Sequence, residues 1–532
     1  MPSARLRLLL AVVMAGTVAT PAGQAQQAGS ASQHPVTLLQ ALNSVLTYHP
    51  LLSVQQAQVE IARSLRLQAS SPFNTVLTAD ALQSRSNVPL TAAQQQQYSL
   101  INANGSSQQA NTSSVSAGVS RLFRSGIQLS ASVPVLRSTD NLLAPNGTNT
   151  AQPVLQLVIP LLRGRGRSVV AAAETAATVE VEAATYDLTQ QITQLVTTAA
   201  ADYRTLAAAQ KLLLIGRDAE ERTRLDLENA QTLVDADQIP RSNLNEVNAN
   251  LAQARQTRTV LEQNLLAAQF QLANDMGVAA ADVIRLRPQA TEDLPPTQTA
   301  DLPVGSDAAL LGYVSRALHL RSDYLATQKR IVEQGLLVTA ARNQLLPAVN
   351  LAGSTGYNGL REGRGFTDLL GSTASSVQQP NASFGVNYNF APRNDYAHGL
   401  LLQAQALEQQ RKEQSEEVAR SISRAVGVAV EAVRHGRQAA QEAGTAVTAY
   451  EASLSGQRDK FHLGLASVVD LITVENNLTL AKTNEVQAQL SFALALIQLR
   501  YATGTILQAG AGVQQIDPAI FRTLPPGGDE NP

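Results

Sequence analysis

The chain has no cysteine and no tryptophan, and aromatic residues make up only 4% of it. The missing cysteine excludes disulfides, thiolate chemistry, cysteine metal ligands and lipid attachment through an N-terminal cysteine. Few aromatics, set among abundant alanine, glutamine, leucine and threonine, argue against a thick globular core. They suit long helices packed side by side. Charge is scarce too, at 15% with a net of −2, so there is no basic surface for nucleic acid. The histidines (His34, His49, His319, His398, His435, His462) show no metal-ligand spacing. No Ser-His-Asp set or paired-carboxylate motif stands out, so neither an enzyme nor a cofactor is expected. Beyond the N-terminus no stretch reaches the ~20 apolar residues that a spanning helix needs.

The N-terminus has the three parts of a secretory signal: Arg5 and Arg7, an apolar run from Leu8 to Val18, and a small-residue site at Ala22-Gly-Gln-Ala25. Residues 1–25 are expected to be a signal peptide.

The remainder repeats itself. The segment from Asp237 to Leu251 reappears from Gly464 to Leu478 without a gap. Leu244 falls on Leu471, Val247 on Val474, Asn250 on Asn477, Ala254 on Ala481 and Gly277 on Gly504. Each half reads helix, alternating strands, very long helix, turn, helix. The boundaries are 36–277 for the first repeat, a Pro-rich linker at 278–305, 306–504 for the second, and a loose tail at 505–532. Duplication on this scale implies one unit used twice, neither copy able to bury its apolar face alone.

Helical periodicity covers Val36 to Ala69, about Ser168 to Val234, Ser242 to Met276, Ser306 to Leu346, Asp395 to His462 and Val468 to Thr503. Leu188, Ile192, Leu195, Ala199, Asp202, Leu206, Ala209 and Leu213 alternate spacings of four and three, a coiled-coil seam with one polar member. That member, Asp202, either fixes register or faces water. At about 1.5 Å per residue the two long helices reach on the order of 100 Å. The short helices of each half, laid end to end, match one long helix to within about ten residues. Between the helices the period changes to two. Val115, Ala117 and Val119 alternate with Ser116, Gly118 and Ser120; Ile127 to Val133, Leu155 to Ile159, Val349 to Tyr357 and Ser383 to Phe390 behave alike. One apolar and one polar face suit a transmembrane β-barrel. About four to six strands per chain are fewer than the ~8 of the smallest barrels, so the barrel is expected to be shared between chains.

Four segments together resemble the TolC-like outer-membrane efflux protein family: VTLLQALNSVLTYHPLLSVQQAQVEIA, RALHLRSDYLATQKRIVEQGLLVTAARNQLLP, VIPLLRGRGR, and the stretch from Lys460 to Gly504. The resemblance covers Val36 to Gly504. It implies a mainly α fold with a membrane β-barrel segment: a homotrimeric α/β barrel set in outer-membrane lipid and continued by a periplasmic helical tunnel. It also implies a periplasmic adaptor and an inner-membrane pump as partners. The function that follows is the exit duct of a tripartite efflux or type I secretion system. The alternatives are a cell-surface adhesive coiled coil and a secreted α+β enzyme.

The resemblance further places Asp470, six residues after the turn at Gly464, at the tunnel entrance. Three copies would make an anionic ring; the same position also suits a helix cap. Thr473 stands where the family often has a second acid, Ala466 where it has a basic residue, and Phe461 where it has an aromatic. The first tip has Asp237 at the glycine position and Asn243 opposite Asp470. Arg241 is either a latch to Asp470 or Asp235, or an exposed arginine of little energetic weight. Arg163-Gly-Arg-Gly-Arg167 reads as a strand-to-helix joint near lipid phosphates. The family's usual four strands per chain are in question, because Ser114 to Val135, split at Arg124-Ser-Gly126, adds a hairpin.

Overall fold

The computed structural model describes residues 33–100, 105–142, 144–296, 307–363, 365–374, 378–507 and 516–525. The expected signal peptide lies outside them. The chain opens with strand β1 (Gln33–Val36) and helix α1 (Leu38–Tyr48). Thr37 caps α1 by accepting from the Gln40 N–H, while the Gln40 side chain accepts from the Thr37 N–H. The single helix expected over 36–69 is broken at His49. Pro50 cannot continue α1, but its fixed φ suits the first position of α2 (Pro50–Ser70).

Next come β2 (Val76–Pro89), α3 (Ala92–Ser99), β3 (Ser107–Leu122), β4 (Gln128–Asp140), β5 (Thr148–Ala151) and β6 (Val154–Pro160). The first long helix follows a short lead-in, α4 (Arg167–Val170), and is α5 (Ala172–Asp235), with α6 (Ser242–Asp275) returning beside it. Then α7 (Ala280–Val283) and β7 (Arg287–Ala290) occupy part of the expected Pro-rich linker; β7 pairs in parallel with β1. The second half contributes α8 (Asp307–Leu320), α9 (Ser322–Asn343), β8 (Ala348–Glu362), α10 (Phe366–Gly371), β9 (Gln378–Asn389), α11 (Asp395–His462) and α12 (Val468–Ala502). The helix expected over 306–346 is therefore also broken, at Arg321.

The two halves repeat each other down to their turns. Asp237 (φ 56°) and Gly464 (φ 72°) are both left-handed and end their long helices with the same pair of hydrogen bonds. The Gln238 N–H reaches the Leu233 carbonyl at 2.8 Å, and the Leu465 N–H reaches that of Lys460 at 2.8 Å. Gly277 (φ 71°) and Gly504 (φ 69°) likewise end α6 and α12. Each presses against the helix break of its own half: a Cβ on Gly277 would meet Tyr48 and His49, and one on Gly504 would meet Leu320 and Arg321.

Helix α5 is the central column. It packs against α2 and α9 towards its start and α6 and α12 towards its end, while α11 packs on α9 and α12. Alanines at 199, 200, 207 and 208 let neighbouring backbones approach closely. At mid-height β1, α1 and β7 wrap α5 around a core that includes Leu42, Val45, Val196, Leu206 and Leu272. Tyr203, fully buried there, donates to the Val36 carbonyl (3.0 Å) and accepts from the Thr291 and Glu292 N–H groups (3.1 Å each). The tail is not loose throughout. Phe521 is fully buried in this core, and Arg500 donates to the Thr523 and Leu524 carbonyls.

The other strands form one antiparallel sheet in the order β2-β3-β4-β5/β6-β8-β9. Seven segments fill six positions, because β5 and β6 both lie between β4 and β8. The expected extra hairpin is present as β3–β4, turned at Arg124-Ser125-Gly126 with Gly126 at φ 94°. The sequence reading missed β2 altogether.

Candidate functional site

Two regions carry features beyond packing: the helix tips and the sheet. At the second tip Ser467 caps α12. Asp470 accepts from the Ser467 N–H (2.9 Å) and hydroxyl (2.7 Å), and its own N–H returns to the Ser467 Oγ. These bonds favour the ionised form and hold the Asp470 carboxyl below its ordinary value. Asp470 is thus an exposed acid already engaged in a capping box. Thr473, one turn on, is exposed and donates to the Val469 carbonyl. At the first tip Asn243 is half-buried, and Arg241 precedes α6 without capping it. Arg241 is exposed and pairs with neither Asp470 nor Asp235, so the latch is not formed in this structure. Phe461 packs between two clusters, Leu471 and Leu478 on one side and Ala230, Val247 and Val468 on the other. It ties the two hairpins of the chain together.

A cluster that sequence reasoning missed lies deeper in the same junction. Glu475 of α12 is only 5% exposed. It accepts from Arg458 of α11 at 2.7 Å. On its other side stands Asp226 of α5, whose Oδ2 is buried without a donor. Burial, then the hydrogen-bonded Glu475 carboxyl, push Asp226 up to about 7, against the pull of Arg458 and Arg222. Two carboxyls in this setting share a proton. Arg222 donates to Thr479 of α12 at 3.0 Å, and Asn476 donates to Asn250 of α6 at 3.2 Å. A cavity of about 300 Å³ opens beside the pair between Arg222, Asp226, Arg458, Phe461 and Leu471. A sign was present in the sequence: Glu475 interrupts the buried stripe Leu471, Ile472, Leu478.

In the sheet, alternate residues separate over the middle rows, although Leu82, Leu136 and Val158 fall on the polar face and Arg85, Arg121 and Arg137 on the apolar one. One face carries Leu77, Val119, Val133, Leu155, Phe384 and Val386, all exposed. The other carries Ser116, Ser132, Gln156, Ser354, Ser383 and Asn387, placed together by the strand register. Along β3 the apolar positions are the more exposed and the polar ones half-buried. The joint below is rigid. Arg124 forms a two-pronged pair with Glu174 (2.5 and 2.6 Å) and stacks on Phe73, while the Gly164 N–H donates to Asn343. Gly164 and Gly166 both have positive φ, which gives the joint its sharp turn. No group of side chains suited to a metal occurs among the described residues, nor any helix long and apolar enough to cross a membrane.

Neither a protein-family model nor a curated protein matches the sequence. Solved structures do. The CmeC outer-membrane channel of Campylobacter jejuni superposes with a TM-score of 0.64 at 14% identity, covering 90% of this chain and 87% of that one. The outer-membrane channel OprN gives 0.63 at 17%, covering 90% and 91%. The outer-membrane protein VceC of Vibrio cholerae gives 0.60 at 17%, covering 88% and 96%. The chain has the outer-membrane channel fold. That is the mainly α, sheet-bearing architecture the TolC-like resemblance implies. In this channel fold the six-position sheet is one end and the helix tips are the other.

Proposed function

We propose that this protein is one subunit of a homotrimeric exit duct in the outer membrane, reaching into the periplasm. It would pass small molecules or proteins outward from an inner-membrane pump and a periplasmic adaptor. One observation carries the reading: a six-position sheet with an exposed apolar band on one face and a mainly polar opposite face, joined directly to helices on the order of 100 Å long. A soluble protein does not present such a band to water. A lipid bilayer both covers it and requires the sheet to close. An adhesive coiled coil has no use for the strands. The neighbours named above are channels, which supports a passive role.

Two experiments test this. Membrane fractionation is expected to find a heat-modifiable trimer in the outer membrane; a soluble monomer would sink the duct. In planar bilayers, divalent cations are expected to block the channel from the tip side through a ring of three Asp470 carboxylates. Asp470→Ala then weakens that block several-fold. Block of undiminished strength would leave Asp470 as a helix cap only.

A further inference from the structure

The sheet has two open edges. Among the described residues β2 pairs only with β3, and β9 only with β8. Every residue of β2 is exposed, and on β9 Phe384, Val386 and Tyr388 are 75%, 59% and 66% exposed. Unpaired backbone N–H and C=O groups are very costly in lipid, so neither edge can stay open there. The directions match. β2 leads away from the helices and β9 leads back to them, so β9 of one copy and β2 of the next run antiparallel, as every pair in the sheet does. The helices below repeat the pattern. α2, just before β2, exposes a stripe of Leu51, Val54, Ile61 and Leu65 flanking the residues it buries. α11, just after β9, exposes Tyr396, Leu402 and Leu407. Both edges of the molecule are thus apolar from the sheet into the helices.

We infer that copies of this chain join β2 edge to β9 edge, with six strands of every subunit inside one shared barrel. The inference rests on the trimeric duct reading, and under it the barrel has eighteen strands. Four positions per subunit would give twelve. Barrel width grows about linearly with strand number, and barrels of about 16–18 strands leave an open aqueous channel. Under this inference the lumen is lined by hydroxyl, amide and glycine groups interspersed with a few apolar side chains such as Leu82, Leu136 and Val158. In the mid-height rows of the polar face Asp80 is the one charge, and it accepts from Ser116. The outer end is then a wide bore that favours neither sign of charge, and discrimination falls to the helix tips.

The absence of cysteine makes the seam testable by disulfide trapping. Leu77→Cys, Ala79→Cys and Ala81→Cys on β2 are each combined with Ala382→Cys, Phe384→Cys and Val386→Cys on β9, covering the possible registers. Full-length protein is oxidised in isolated outer membranes. The expected result is covalent dimers and trimers from at least one β2–β9 combination and none from the single variants. Val133→Cys on β4 combined with the same β9 positions is expected to give none. Cross-links from β4 to β9 in a protein that is still trimeric would place the β2–β3 hairpin outside the barrel and overturn the inference while leaving the duct. Sedimentation in detergent as a monomer would instead overturn the duct reading itself.

Discussion

Among the described residues Asp237 is one of two non-glycine residues with positive φ, and it holds the turn that Gly464 holds in the other half. A left-handed aspartate costs about 1 kcal/mol relative to glycine, partly recovered because glycine has more freedom to lose on folding. Asp237→Gly is therefore expected to stabilise the first hairpin by about 0.5 kcal/mol, read as a small rise in the midpoint of thermal unfolding. A fall would mean that the Asp237 carboxyl has a partner in the assembled protein. Asp470 shows a different limit. The sequence placed it at a tip and left open whether it caps or lines an opening. The capping box with Ser467 settles the first, because Ser-x-x-Asp is a local pattern. The second depends on the proposed trimer, which no local pattern encodes. Asp226 was illegible: its partner Glu475 lies 249 positions away, and only folding brings α5 against α12.

At the scale of elements, the long helices were legible because the stripe repeats over many turns. The second, Asp395–His462, was read to the residue. Short elements were not. β1 and β7 have four residues each and form only as a pair. β2 carries Asp80 and Arg85 and has small alanines at 79 and 81 on its apolar face, so the period-two signal is faint. The helix breaks at His49 and Arg321 escaped because apolar spacing continues across both. Their structural partners are Gly277 and Gly504, and here the two halves differ in tightness. A Cβ on Gly277 would lie 2.6 Å from the Tyr48 backbone, whereas one on Gly504 would lie 3.1 Å from its nearest neighbours. Both are left-handed, so both alanine variants pay about 1 kcal/mol of backbone strain. Gly277→Ala adds a backbone clash, and is expected to cost about 2–3 kcal/mol in all. Denaturant midpoints should rank Gly277→Ala below Gly504→Ala. Equal losses would show that the α1–α2 break yields as readily as α8–α9.

Across the whole molecule α5 meets three different helices through paired carboxyls: Glu180 with Glu333 of α9, Asp202 with Asp275 of α6, and Asp226 with Glu475 of α12. The pairs are spaced about 33 and 36 Å along the helix axis, near its start, middle and end. In each pair burial is the first cause that raises one member, and the facing carboxyl adds to it. Glu333, Asp202 and Asp226 are each pushed up to about 7. Arg330 and Arg411 oppose the shift at Glu333, Gln271 opposes it at Asp202, and Arg458 and Arg222 oppose it at Asp226. The seam residue Asp202 thus neither simply faces water nor sits alone. The sign follows from proton counting. Between about pH 4 and 7 these three groups hold protons in the folded chain that the unfolded chain has released, so their contribution to stability is present near pH 4 and is lost as pH rises to about 7. Discounted for partial exposure, each pair contributes on the order of 1–2 kcal/mol to that fall. Asp226→Asn gives Glu475 a permanent amide donor, so this variant should unfold at higher temperature than the parent at pH 8 and close to it at pH 4. Combining it with Asp202→Asn and Glu333→Gln should flatten most of the profile, since sites so far apart add nearly independently. Thermal scans in detergent from pH 4 to 8 read this directly. A parent profile that rises through the window would mean the carboxyls are ionised in the assembled protein, held by cations or water rather than by shared protons.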